Sequence, residues 1–267
     1  MSQRSDSPLS STMPMNGHVA TPEAATPKAA AMNGRDRATE APGTAEAEAP
    51  AEEGCPPQGA AGGRTGHSPN VRWQRTAMTR GRRWQSLGHH GATIWFTGLP
   101  AAGKSTIAGA VEEHMVCAGR PAFLLDGDNL RHGLNGDLGF DEEARRENVR
   151  RTAHVARLLA ESGTVALVSL VSPYACDREE AAELHAAVEL PFLEIFVSAP
   201  LSLCEARDPK GLYARARAGS LSGLTGVDAP YEPPRDPALV LHSGQESVHE
   251  AVERVMGTLA AVLPPLR

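Results

Sequence analysis

The segment Gly98-Leu99-Pro100-Ala101-Ala102-Gly103-Lys104-Ser105, followed by Thr106, fits the pattern G-x-x-x-x-G-K-[ST]. A compact β-rich run at 92–97, containing Ile94, Trp95 and Phe96, precedes it. A helical period through Ile107, Val111 and Met115 follows over 105–117. Strand, glycine-bearing turn and helix start, in that order, turn a row of backbone N–H groups towards one point at the positive end of a helix, where a phosphate chain binds. Gly98 and Gly103 let the backbone curl, Ala101 and Ala102 lend amides, and Lys104 reaches the β- and γ-phosphates. The Ser105 hydroxyl, beside Thr106, ligates Mg2+. A chance match in a glycine-rich stretch would not place both flanking elements. The motif specifies a nucleoside triphosphate and leaves the acceptor open.

From about His90 the chain alternates between strand-like and helix-like segments. Apolar runs at 122–125, 165–171 and 192–197 read as strands, the second with almost no polar interruption, as a strand buried on both faces requires. Helical patterns cover 142–161, 177–188, 201–207 and 247–263, the last stopped by Pro264 and Pro265. The alternation predicts an open α/β domain: a parallel sheet with helices on both faces, of the P-loop NTPase type. The periodicity lapses over 208–237, where Lys210, Arg215 and Arg217 lie among glycines and prolines. A segment of that length without its own core predicts a mobile lid.

Residues 1–80 are dominated by Ala, Pro, Gly, Ser, Thr and Glu, and their only Leu, Val, Ile or Phe residues are Leu9, Val19 and Val71. So little apolar surface cannot offset the entropy of ordering, which predicts a disordered extension ahead of a kinase domain at 81–267. A targeting segment and a misassigned start, with Met13, Met15, Met32 or Met78 as the true one, are the competing readings. A secretory signal lacks its apolar core, and Glu40, Glu46, Glu48, Glu52 and Glu53 argue against a transit peptide. The net charge of −6 gives no support for a nucleic-acid or anionic-membrane partner. No apolar run approaches 18 residues, and Cys55, Cys117, Cys176 and Cys204 form no CxxC pair, so a reducing cytoplasm is the expected location.

A second cluster follows the strand at 122–125. In Asp126-Gly127-Asp128-Asn129-Leu130-Arg131 two carboxylates stand two residues apart, where open α/β sheets bind ligands beyond the C-terminal ends of their strands. One can accept a proton from an attacking hydroxyl while the other orients Mg2+, water or the acceptor. The alternative is an ordinary Asp-Gly turn. Arg131, His132, Asn135, Arg145, Arg146, Asn148, Arg150 and Arg151 crowd the next stretch. Those on one helical face, Arg145 with Asn148, and Asn148 with Arg151 or Thr152, can point together into a cleft. Pairing with Glu142, Glu143 and Glu147 on a solvated face is the bland reading.

These segments resemble the adenylylsulfate (APS) kinase family. The shared features are the loop 98–106, Asp126-Gly127-Asp128-Asn129-Leu130-Arg131-His132-Gly133-Leu134-Asn135, Asp137-Leu138-Gly139-Phe140, and Arg145 with Glu147-Asn148-Val149-Arg150-Arg151. After them come Val171-Ser172-Pro173-Tyr174 with Asp177-Arg178, Arg207-Asp208-Pro209-Lys210-Gly211-Leu212-Tyr213, and the run 224–232. The resemblance spans about 84–262 and implies transfer of the γ-phosphate of ATP to the 3'-hydroxyl of adenosine 5'-phosphosulfate, giving PAPS. It implies that Asp128 takes the hydroxyl proton, with Lys104 and Asp126 completing the catalytic set, and that Ser105 and Asp126 organise Mg2+. By the same resemblance Arg131, Arg145 and Asn148 hold the phosphosulfate and ribose, and Phe140 packs on the adenine. The Val171–Ser172 backbone lines the pocket, and Lys210 belongs to the lid with Arg215 and Arg217 near it. A homodimer is implied, and the proline-rich extension could recruit a partner such as an ATP sulfurylase.

The chain departs from the family's usual pattern at Pro100-Ala101 (usually Ser-Gly), Ala144 (usually Asp), Ala175 (usually basic) and Leu224 (usually an aromatic that stacks on the APS adenine). Alanine tolerates positive φ less well than glycine, which predicts a stiffer loop or weaker ATP binding. These positions keep two alternatives open: a kinase of the same fold with a different adenylylated or small hydroxyl acceptor, and a nucleotide-binding scaffold without turnover. The second would be expected to have lost Asp128 or Lys104, and both are present.

Overall fold

The computed structural model describes residue 74 and residues 76–263, and the expected disorder of the extension therefore falls almost wholly outside the described residues. The expected boundary at 80/81 lies inside a capped helical turn. Helix α1 runs Arg80–Leu87, and the Thr79 hydroxyl accepts the Arg82 N–H. Trp84 stacks on His90 with ring centroids 4.9 Å apart, and Arg83 Nη1 donates to the carbonyl of Glu161.

Five parallel strands follow: β1 Ala92–Thr97, β2 Ala122–Asp126, β3 Val165–Ser169, β4 Phe192–Ser198 and β5 Leu239–His242, in the order β2-β3-β1-β4-β5. Between them run α2 Lys104–Cys117, the single turn α3 Gly127–Leu130, α4 Glu142–Ser162, α5 Ala175–Ala186, α6 Leu201–Arg207 and α7 Leu212–Arg217, with α8 Val248–Val262 closing the domain. Strand alternation sorts the core onto two faces. Ile94 and Phe96 of β1 and Leu167 of β3 pack with Ile107, Val111 and Met115 of α2 and Val255 and Leu259 of α8. Trp95, Ala166 and Val168 point the other way, onto Val149, Ala153 and Ala156 of α4 and Ala181 of α5. The domain is thus the parallel sheet covered by helices on both faces that the sequence predicts.

Side chains occupy the outer edges of the sheet. Glu112 on α2 accepts the N–H of Leu124 at 2.7 Å, Arg254 on α8 donates to the carbonyl of Val240, and Glu246 accepts the N–H of His242. The first crossover carries the chain from central β1 to the far edge at β2, and the later ones return past β1. That reversal opens a crevice at the C-terminal ends of β1 and β3.

Two expectations differ in detail, and one strand was not foreseen. The third strand stops at Ser169, because Leu170 and Val171 leave the ladder to line the crevice. The segment expected as a lid holds one helix, α7, and an isolated bridge between Thr225 and Ala229. The short β5, a four-residue run after a proline-rich stretch, carries too little pattern to read beforehand.

Candidate active site

Two clefts open at the crevice and share one boundary. The larger, about 870 Å³, runs from Gly103 and Thr106 to Arg207 and the turn Ser243–Gly244–Gln245. The smaller, about 220 Å³, is walled by Arg131, Phe140, Arg145, Asn148, the loop 170–173 and Leu224. Ala101, Lys104, Ser105, Asp126, Asp128, Pro209 and Lys210 border both.

The loop between β1 and α2 forms the floor. Gly98 has φ 150°, and a Cβ there would stand 2.5 Å from the carbonyl oxygen of Val197, so only glycine lets the chain leave the sheet at this point. Ala101 sits at φ 60°, in the left-handed region, at a cost of about 1 kcal/mol for a residue with a Cβ. The strain predicted for the alanine in this loop therefore has a physical location. Outside contacts hold the loop. Tyr213 Oη donates to the Pro100 carbonyl at 2.9 Å, and Arg207 Nη1 reaches the carbonyls of Ala101 and Ala102 and the Ser243 hydroxyl. Ala102 is buried beneath the loop. Gly103 precedes α2 in the left-handed conformation without a side-chain cap, leaving the first-turn N–H groups to face the larger cleft.

Lys104 is buried, and its Nζ donates to the carbonyls of Gly98 and Leu99 at 2.9 and 2.8 Å. Burial draws its pKa down to about 8, against the opposing pull of the Asp126 and Asp128 carboxylates. Next to it, the Ser105 hydroxyl donates to Asp126 Oδ2 at 2.6 Å and lies 3.1 Å from the Ser169 hydroxyl. Asp126 Oδ1 accepts the N–H groups of Asp128 and Asn129, which makes this carboxylate the cap of α3 and fixes its direction. Asp128, two residues on, is exposed and forms an ion pair with Lys210 from the lid. Ser105 and Asp126 offer hard oxygen donors side by side. That is the donor chemistry Mg2+ takes when substrate phosphates and water complete its shell.

In the smaller cleft, Arg131 lies over the Phe140 ring, 4.1 Å from its centroid, and donates to the carbonyls of Leu138 and Gly139. Asn148 is buried and accepts from Asn135 Nδ2 at 2.8 Å. Arg145 is more committed to protein groups than the sequence implies. Its Nε donates to the Phe140 carbonyl, Nη1 to the Thr225 hydroxyl at 3.0 Å and Nη2 to the Gly223 carbonyl at 2.7 Å. Arg151 does not share that face. It pairs with Glu147 and Asp137, as Arg150 does with Glu147, whose carboxyl these arginines hold down at about 2. The solvated-face reading is the right one for Arg150 and Arg151. Arg215 and Arg217 also stand away from the site, on the exposed side of α7, with Arg217 paired to Glu205.

Similarity to known proteins follows the same residues. The family model described as adenylylsulphate kinase matches residues 90–242. The chain belongs to the adenylylsulphate kinase family. The adenylyl-sulfate kinase of Aeromonas salmonicida is 45% identical over 190 residues, covering 71% of this chain and 96% of the relative. That of Yersinia pestis is 46% identical over 190 residues, covering 71% and 88%. Among solved structures, the Mycobacterium tuberculosis APS kinase CysC in complex with AMPPNP and APS superposes with a TM-score of 0.63 at 48% identity, covering 64% of this chain and 98% of that one.

For a member of the adenylylsulphate kinase family, the residues overlooked in the sequence are informative. Arg207 and Tyr213 lie within a motif stretch but drew no role, because nothing in one dimension shows them reaching back to 100–102. Asp228, which accepts the N–H groups of Gly223 and Leu224, shapes the loop that carries Leu224. The turn 243–245 had no signal beyond the serine that caps α8.

Proposed function

We infer that the protein transfers the γ-phosphoryl group of ATP to the 3'-hydroxyl of adenosine 5'-phosphosulfate (APS), giving PAPS and ADP. The observation that carries this reading is the shared boundary of two unequal clefts. A nucleoside triphosphate in the larger one, with its phosphates on the first turn of α2, directs its terminal phosphate at Lys104, Ser105 and Asp126. An acceptor in the smaller one meets the same point from the side of Asp128. Phosphoryl transfer asks the protein chiefly for positioning and charge stabilisation, and a meeting of two clefts at two lysines and two aspartates supplies both.

Asp128 accepts the hydroxyl proton as the bond from O3' to Pγ forms and the bond from Pγ to the bridging oxygen breaks, releasing ADP. Lys104 exchanges the Gly98 and Leu99 carbonyls for phosphate oxygens. Lys210, leaving Asp128, adds positive charge beside the transferred group. Ser105 and Asp126 hold Mg2+, which when bound neutralises charge on the phosphates. Arg131 and Arg145 face the anionic linkage of APS, where planar donors suit sulfate and phosphate oxygens. Phe140 and Leu224 give the adenine its apolar walls. Asn148 and the 171–172 backbone complete the chamber.

The same reading includes a homodimer, and recruitment of a partner such as an ATP sulfurylase by residues 1–80. Sedimentation and co-purification, with that segment present or removed, test both. No helix among the described residues is long and apolar enough to cross a membrane, and a cytoplasmic location belongs to the proposal.

A coupled ADP-release assay with ATP, Mg2+ and APS tests the reaction, run beside AMP, other nucleotides and buffer. APS-dependent ADP release, with PAPS identified by mass, is expected. Leu224, an aliphatic wall where the family usually has a ring, is the specific observation favouring another acceptor. Firm ATP binding without APS turnover would shift the assignment to a different adenylylated or small hydroxyl substrate.

A further inference from the structure

Behind the smaller cleft stands a buried cation that touches none of its space. Arg178 on α5 is 2% exposed. Its three nitrogens go three ways: Nε donates to Glu194 Oε1 on β4 at 2.6 Å, Nη1 to the carbonyl of Ser172 at 2.6 Å and Nη2 to the carbonyl of Glu232 at 2.8 Å. The guanidinium carbon also lies 5.9 Å from the centroid of the Tyr231 ring.

Both carbonyls belong to segments that matter for the cleft. Ser172 lines it and holds φ 39°, a left-handed conformation that a non-glycine residue immediately before a proline adopts only under constraint. The constraint is a chain of hydrogen bonds. Trp95 Nε1 donates to Ser172 Oγ, Ser172 Oγ to Thr97 Oγ1, and Thr97 Oγ1 to the Val171 carbonyl at 2.8 Å. Glu232 lies towards the end of the lid segment that began beyond α6. Its N–H donates to the Pro173 carbonyl, its carboxylate accepts the Ala175 N–H, and neighbouring Tyr231 shares a hydrogen bond with Thr97.

We propose that Arg178 is a positioning residue for the acceptor: by holding the carbonyls of Ser172 and Glu232 at once, it sets the strained 171–173 wall of the smaller cleft in register with the root of the lid. The assignment rests on the functional reading above and adds to it a residue outside the cleft. A planar fork suits the task. A carboxylate and two carbonyls lie on three sides of one guanidinium, and the single ammonium of lysine cannot span them. Away from the boundary the two clefts share, the larger one is walled by Gly103, Thr106, Arg207 and the 243–247 turn, none of which lines the smaller cleft, so the effect falls chiefly on the acceptor.

The test compares Arg178→Lys with the unsubstituted full chain, measuring KM for APS and for ATP, kcat, and melting temperature. The expected result is a rise of about tenfold or more in KM for APS, with KM for ATP within about twofold. A merely structural ion pair would lower the melting temperature and leave the two KM values moving together, and that outcome overturns the proposal. If the lysine variant does not fold, Glu194→Gln loosens the same guanidinium while keeping an acceptor. A rise of about threefold in KM for APS alone is then expected, and an unchanged value overturns the proposal. Absence of APS turnover by the unsubstituted protein would overturn the functional reading and this assignment with it. Turnover with equal effects on both substrates overturns the assignment alone.

Discussion

Lys104 is buried deeply enough that its pKa falls to about 8, and it is therefore charged at neutral pH by a margin of only about one unit. Phosphate oxygens favour the ammonium form. Apparent affinity for ATP is thus full below about pH 8 and declines as pH rises through that value. Titration with a non-hydrolysable ATP analogue should show binding more than about tenfold weaker at pH 9.5 than at pH 7, and a flat profile would separate Lys104 from the phosphates. Asp128 makes a different prediction because it is exposed and its tie is to the lid. Asp128→Ala should lower kcat by about 10²–10⁴, the usual contribution of a positioned proton acceptor. ATP binding, measured by calorimetry, should hold within about threefold, and wild-type turnover in that variant would remove Asp128 from its role. Both residues were legible in the sequence because each sits at a fixed offset in a short motif. The employment of Arg145 was not, since its partners at 223 and 225 lie almost eighty residues away and meet it only through the fold of the lid.

Among the elements, α1 is the first that the sequence hid. Its segment, Arg-Gly-Arg-Arg-Trp-Gln-Ser-Leu, follows a long low-complexity stretch and offers one aromatic and one leucine, too few for an amphipathic signal. What holds it is not a buried stripe but the Thr79 cap, the Trp84–His90 stack, and guanidinium contacts to the carbonyls of Val188 and Glu161. A chain beginning at Thr76 keeps all of these, and one beginning at Gly88 loses them. The shorter chain should melt about 3–8 °C lower, corresponding to about 2 kcal/mol, with kcat retained because no residue of α1 borders either cleft. Equal melting temperatures would make α1 an ornament of the domain. The long elements were readable for the opposite reason. Helices α2, α4 and α8 repeat their apolar residues often enough to declare a face, and α8 also carries a Ser247–Glu250 capping box. Short β5 and α7 become regular only because a neighbouring strand or the phosphate loop is there to receive them.

For the molecule as a whole, two buried titrating groups pull stability in opposite directions with pH. Burial pushes the Asp177 carboxyl up to about 6, although Arg146 opposes the shift, and its Oδ2 finds no hydrogen-bond partner among the described residues. The folded protein holds that proton more tightly than the unfolded chain does. The stability it brings is therefore present at low pH and lost as pH rises through about 6. His185 acts in reverse. Buried between Thr93 and the Ala181 carbonyl, it has a pKa below its ordinary value, so its contribution is present above that value and lost as pH falls below it. Asp177→Asn isolates the first effect. Its melting temperature should exceed the wild type's at pH 8, by about 1–3 kcal/mol of stability after the weakened Arg146 contact is allowed for, and the gain should vanish near pH 4. A gain that does not change with pH would assign it to packing.

The side chains along the two outer strands bear on something other than folding: the behaviour of the protein in crowded solution. An open sheet ends in backbone groups that a second molecule could use to extend it, and β2 carries Phe123, 54% exposed, on that margin. Glu112, by taking the Leu124 amide, denies a neighbour one of its points of attachment and places a negative charge beside it. Its loss should cost the monomer little but the solution much. Glu112→Ala is expected to scatter light at protein concentrations where the wild type stays clear, so the side chain that completes the last strand also keeps copies of the enzyme from joining sheet to sheet.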